Sequence, residues 1–204
     1  MKDAFISMLD LQNKMNSKVH PQWQEQGYEW YRAIWTECAE LMDHHGWKWW
    51  KKQSPDIHQI HLEIVDIWHF GLSILLTSGR PLESLATELE SQWQSAGTTD
   101  NFLIAVEALA QNTLSSQGFS IPLFCQLMEL GKFEFVDLYQ QYIGKNVLNF
   151  FRQDHGYKEG TYHKVWHGKE DNEHLAEILT TLKDNAEADL QGAVYAALQA
   201  RYPV

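Results

Sequence analysis

Four carboxylates stand in two pairs of identical spacing, Glu37 with Glu40 and Glu63 with Asp66. Residues three apart share one face of an α-helix, so each pair can present two carboxylates side by side to one cation. Ile34, Trp35, Cys38, Ala39, Leu41 and Met42 flank the first pair, and Leu62, Ile64, Val65, Ile67 and Trp68 the second. No Lys or Arg stands three or four positions from any of the four acids; Asp43, His44 and His69 take such places instead. Carboxylates in apolar surroundings need a counter-charge, which a bound metal would supply. Oxygen donors without a thiolate or a histidine cluster suit Mg2+, with Mn2+ as a substitute. Because Mg2+ keeps several waters and shares the phosphates of its substrate, the spacing points to phosphoryl-transfer chemistry. A single acid pair three apart is ordinarily solvated surface; two pairs in apolar settings favour the metal. Asp66-x-x-His69 also fits half of a di-iron bundle pattern, but Glu37 and Glu40 lack the matching histidine.

A second concentration of chemistry runs from 145 to 169, where Lys145, Arg152, Lys158, Lys164 and Lys169 outnumber Asp154 and Glu159. Most basic loops are simply solvated. Tyr157, Tyr162, Trp166 and three histidines interleaved here instead suit a loop that closes on substrate, over 153–171. Arg152 offers phosphate a bidentate fork and Lys169 a compact point charge.

Helices must position these residues. Between five prolines and twelve glycines, apolar residues recur at three- and four-residue spacing. This predicts helices over about 3–17, 28–45, 57–77, 82–93, 100–115, 121–131, 134–152 and 172–200, the last with a break near Asp184. Gly46 is placed to stop the second helix and Asp56 to cap the third. The third is apolar nearly all round and belongs at the centre of its bundle. Trp47, Trp49 and Trp50 read as core or dimer interface, because aromatic clusters more often pack than bind.

The 204 residues are 44% hydrophobic with nine tryptophans, enough for a sizeable core. A net charge of -11 argues against broad binding to nucleic acid or anionic membrane. The two cysteines, Cys38 and Cys125, form no disulfide framework and read as buried free thiols. The N-terminus lacks the apolar run of a signal, and no stretch approaches the roughly 20 apolar residues of a membrane helix. With no repeat and no composition shift, a single cytoplasmic all-α domain over 1–204 is expected.

The string Glu37-Cys38-Ala39-Glu40-Leu41-Met42-Asp43, then Trp47-Lys48-Trp49-Trp50-Lys51, then Glu63-Ile64-Val65-Asp66-Ile67-Trp68-His69-Phe70 resembles the all-α dimeric dUTPases, relatives of MazG-type nucleoside triphosphate pyrophosphohydrolases. A second block is similar too: Tyr142-Ile143-Gly144-Lys145-Asn146-Val147-Leu148-Asn149, Phe151-Arg152-Gln153, Gly156-Tyr157-Lys158 and Gly168-Lys169-Glu170-Asp171-Asn172-Glu173. Leu11-Gln12-Asn13-Lys14-Met15-Asn16 resembles the family's Leu-Gln-x-x-Leu-Asn, with Met15 in place of leucine. The likeness covers about 8–76 and 134–180; 81–130 shows only generic helices, and the last twenty residues match nothing.

The resemblance implies a helical bundle of the all-α NTP pyrophosphohydrolase type, working as a homodimer. It implies hydrolysis of dUTP to dUMP and pyrophosphate, with dUDP accepted through attack at the β-phosphorus, so that uracil incorporation into DNA is limited. Glu37, Glu40, Glu63 and Asp66 would hold more than one Mg2+, with Glu37 and Glu40 catalytic and Glu40 orienting or deprotonating water. Gln12 and Asn16, four apart on one face, would offer amides to the uracil edge. Phe70 would stack on the base, Asn149 reach base or sugar, and Lys145, Arg152, Tyr157, Lys164 and Lys169 line the substrate. His69 is expected as a hydrogen-bonded neighbour rather than a ligand. Two alternatives stand beside this: the same fold with another nucleotide preference, such as dCTP, and a non-catalytic helical dimerisation protein.

Overall fold

The computed structural model describes residues 1–183 and 189–203. They group into two compact units, Met1–Leu138 and Tyr139–Val204. The first contains α1 (Lys2–Val19), a 3-10 turn (Trp23–Glu25), α2 (Trp30–His45), α3 (Ile57–Leu76), α4 (Leu82–Gln92), α5 (Phe102–Ser116), α6 (Ile121–Leu130) and the first residues of α7 (Phe135–Asp154). The expected all-α class holds.

Two capping expectations hold as well. Gly46 ends α2 with φ 90°, a left-handed conformation that glycine adopts without a Cβ penalty. Asp56 accepts a hydrogen bond from the Gln59 N–H at 3.2 Å and so starts α3. The nearly all-round apolar α3 is packed on α2 and α1, as expected of a central helix. Its Trp68 is fully buried, stacked on Phe124 at 5.1 Å, with Phe5, Trp93 and Phe119 around it. Gly71 lies where α3 meets Phe119; a Cβ there would stand 2.5 Å from the Phe119 ring. Cys38 and Cys125 are buried free thiols.

The second unit contains the remainder of α7, a hairpin of β1 (Val165–Trp166) and β2 (Lys169–Glu170), α8 (Asp171–Lys183) and α9 (Leu190–Arg201). The strands pair antiparallel, Val165 with Glu170 and Trp166 with Lys169. His167 and Gly168 turn the chain between them with φ of 50° and 81°, the double positive φ of a type I′ turn. Tyr142, Phe151, Trp166, Leu175, Val194 and Leu198 are buried here.

The expected helix over 172–200 with a break corresponds to α8 and α9, and the position of the break near Asp184 lies outside the described residues. Two expectations change. The expected loop 153–171 contains the end of α7 and the hairpin, too short for a periodic signal. Trp47, Trp49 and Trp50 are not core: they are 41%, 88% and 58% exposed and meet edge to face beyond the end of α2. Among the described residues no helix is long and apolar enough to cross a membrane.

Candidate active site

The packing of α2 against α3 brings both acid pairs together. Oxygen atoms of Glu37, Glu63 and Asp66 lie within 4.8 Å of one another, and so do ligand atoms of Glu40, His44 and Glu63. The four carboxylates singled out by spacing therefore converge, with Glu63 common to both groups. Burial is graded across them: Glu63 is 8% exposed, Glu37 and Asp66 are half-buried, and Glu40 is exposed. The expectation of uniformly apolar surroundings fails at Glu40, because Trp35 and Ala39 are exposed too.

The charges oppose one another. Burial pushes the Glu37 carboxyl up to about 8, helped by its hydrogen bond to Glu63 and by repulsion from Asp66, Glu63 and Glu40. Glu63 is also raised, first by burial; the hydrogen bond from Glu37 pulls the other way, while Asp66 and Glu40 push it up. Glu37 thus holds a proton into the neutral range and donates it to Glu63. His44 Nε2 stands 3.4 Å from Glu63 Oε1. Carboxylates forced so close that one must stay protonated are short of positive charge, and their oxygen donors suit a hard divalent cation. The residues present fit such an ion.

Along α1 and α3 lies a buried polar network. Gln12 Nε2 donates to Asn16 Oδ1 at 2.9 Å, and Asn16 Nδ2 donates to Ser73 Oγ at 3.0 Å. Ser73 Oγ donates to the His69 carbonyl at 3.0 Å, and His69 Nδ1 meets Gln12 Oε1 at 2.8 Å. An amide oxygen only accepts, so His69 carries its proton on Nδ1. Gln12 and Asn16 are buried, 5% and 7% exposed. His69 is held by hydrogen bonds and belongs to neither of the two ligand groups described above. Phe70 is half-buried with its ring 6.2 Å from that of Trp30.

In the second unit, Lys145 is buried on α7. Arg152 Nε and Nη2 donate to the two oxygens of Asp171 at 2.8 and 2.9 Å, while its Nη1 donates to Asn149 Oδ1 at 3.1 Å. Tyr162 adds a hydroxyl donor to Asp171, 2.9 Å away. Tyr157 is half exposed under the Arg152 guanidinium. Lys164 pairs with Glu170 at 3.1 Å, and Lys169 pairs with Glu177. Much of the cationic charge expected of 145–169 is thus matched by acids that begin one residue beyond that window.

Sequence reasoning missed His44, Ser73 and Asp171 as partners of the site residues. His44 carried a legible signal, four residues after Glu40 on the same helix. Ser73 bore the same relation to His69. Asp171, nineteen residues from Arg152, had none.

A comparison with curated protein sequences gives no match. The family described as dUTPase matches residues 4–157, a span that ends before the hairpin. With most of its 204 residues matched and its helices in place, the chain belongs to the all-α dUTPase family of nucleotide pyrophosphohydrolases, enzymes that act on dUTP.

Proposed function

We propose that this enzyme hydrolyses dUTP to dUMP and pyrophosphate with Mg2+ held by Glu37, Glu40, Glu63 and Asp66, and that it accepts dUDP by attack at the β-phosphorus. The observation that carries the reading is the convergence of four carboxylates from α2 and α3 into two groups that share Glu63. Those four residues would hold the Mg2+, which when bound would neutralise phosphate charge and lower the pKa of water. The chain's own residues divide the remaining work by burial. Glu63 is sheltered and anchors both groups, whereas Glu40 is exposed and can take a hydrogen bond from an incoming water, the position of a general base.

The buried amides lie on α1, and their partners His69 and Ser73 lie on α3 with Glu63 and Asp66. From Asp66 to Ser73 α3 rises about 10 Å, the scale on which a nucleotide separates its phosphates from the edge of its base. Gln12 and Asn16, oriented by His69 and Ser73, are proposed to read the uracil edge, with Phe70 against its ring. Residue chemistry and family likeness alone support Lys145, Asn149, Arg152, Tyr157, Lys164 and Lys169 as further substrate contacts. The exposed Trp47, Trp49 and Trp50 support an interface with a second copy of the chain, which light scattering would reveal as a dimer mass.

The test is a pyrophosphate and phosphate release screen over deoxynucleoside triphosphates and diphosphates, with and without Mg2+. Selective turnover of dUTP and dUDP that EDTA abolishes is expected, and equal turnover of dCTP would refute the specificity. Hydrolysis in 18O water checks the attacked phosphorus: label confined to dUMP would contradict β attack.

A further inference from the structure

Glu63 serves two groups of different chemistry. The group with Glu37 and Asp66 is all oxygen; the group with Glu40 and His44 contains an imidazole nitrogen. We propose that His44 is a further metal ligand, so that the ion position formed by Glu40, His44 and Glu63 has a mixed nitrogen and oxygen donor set, which accepts Mg2+ but takes a borderline transition ion more readily than the all-oxygen position of Glu37, Glu63 and Asp66. The inference rests on the acids being the metal centre.

Geometry supports it. Glu40 and His44 are four apart on the last turns of α2, so their side chains lie over one another on the face that meets Glu63 on α3. His44 Nε2 and Glu63 Oε1 are 3.4 Å apart, beyond the 2.7–3.2 Å of an N–H···O hydrogen bond. That separation matches the edge of a tetrahedron: two donors each about 2.1 Å from a central ion lie about 3.4 Å apart. The two atoms are therefore placed to share an ion between them with little movement. The next residue makes the contrast. His45 turns away and stacks on Phe102 at 4.8 Å, so the position of the His44 ring among the acids is not a general property of this helix end. The His44 side chain is 33% exposed, which leaves the nitrogen open to ion exchange.

The donor sets then predict different preferences. Carboxylates and water suit Mg2+, whereas imidazole raises affinity for Mn2+, Co2+ and Zn2+ in that general order. Glu63 would contribute to both positions. His44 would bind through Nε2, which requires the proton on Nδ1.

The probes are CoCl2 and MgCl2 added separately to metal-stripped full-length protein, read by the visible d–d absorption of cobalt and by calorimetry. The wild type is expected to bind Co2+ with an intense band of low-coordinate cobalt. His44→Ala and His44→Gln are expected to lose that band and to weaken Co2+ binding by about tenfold or more, with Mg2+ binding much less affected. His44→Gln keeps the side-chain volume and decides the outcome if His44→Ala fails to fold by circular dichroism. An unchanged cobalt spectrum and affinity in a folded His44→Gln protein would overturn the inference and leave the carboxylate centre standing. Failure of the wild type to bind either ion would instead overturn the metal reading itself, and this inference with it.

Discussion

Neutralising Glu37 should make the metal-free protein more stable and the metal-bound protein less so. The folded state raises the Glu37 carboxyl from 4.5 to about 8, so the folded chain holds that proton more tightly than the unfolded chain. The stability linked to it is complete below about pH 4.5 and is lost as pH rises through about 8. At full strength the rise corresponds to roughly 5 kcal/mol. Glu40 at the rim is exposed and Glu37 itself is only half-buried, so solvent screening reduces this to about 1–2 kcal/mol. In EDTA at about pH 9, Glu37→Gln should therefore raise Tm by about 3–6 °C and flatten the fall in stability between pH 4.5 and about 8. The amide still offers Glu63 an N–H where the protonated acid offered an O–H. Saturating Mg2+ should reverse the order, because the wild type gains a ligand-linked term that the variant has weakened. Differential scanning calorimetry in the two conditions reads both signs. A Glu37→Gln protein with lower Tm in EDTA at high pH, or a pH slope equal to that of the wild type, would refute the claim that the clustered charges repel.

The other expectations concern single groups. Glu40→Gln should lower pyrophosphate release from dUTP by about 10²–10⁴-fold with the fold unchanged by circular dichroism; activity within a few fold of wild type would remove Glu40 as the base. Asp171→Ala leaves the Arg152 guanidinium unpaired at a site where Asp171 is fully buried, and should cost about 3–5 kcal/mol in urea unfolding. Burial raises the Asp171 carboxyl, but the bidentate bond and charge of Arg152 more than reverse that, so it lies below its usual value. Its contribution is present above the unfolded value and is lost as pH falls through the folded one, so the variant should also show a flatter acid limb. Gly71→Ala drives a methyl to within 2.5 Å of the Phe119 ring and should cost about 1–3 kcal/mol, partly restored by Phe119→Leu in a double-variant urea series.

The legible part of this protein is the part written in one helical turn. Glu37 with Glu40 and Glu63 with Asp66 could be placed on helix faces from spacing alone, and the apolar character of α3 put one pair at the centre of the unit. Gly46 and Asp56 marked ends by local backbone chemistry. Burial was less legible. Gln12 and Asn16 are polar, and nothing local says that Ser73 and His69, 57 residues away, will satisfy them in the core. A separation of nineteen residues likewise hid Asp171 from Arg152, so a residue read as a phosphate fork is one side of a bidentate pair. Charge counted along a window cannot see partners that the fold supplies from outside it.

The graded burial of the acids matters more than their number. Four carboxylates at equal depth would share one environment and one role. Here Glu63 is sheltered, hydrogen-bonded to Glu37 and 3.4 Å from the His44 imidazole. Glu40 stands in solvent one turn from His44. A sheltered anion is costly to leave unpaired, which makes Glu63 the acid whose replacement should abolish both ligand groups. An exposed one can meet an incoming water, which suits Glu40 to the base role. This asymmetry follows from α2 leaving its Glu40 face open while α3 is enclosed. Glu63→Gln and Glu40→Gln should therefore separate cleanly in calorimetry: the first loses Mg2+ binding, and the second keeps most of it while losing turnover. Equal loss of Mg2+ affinity in the two variants would show that burial does not divide their roles.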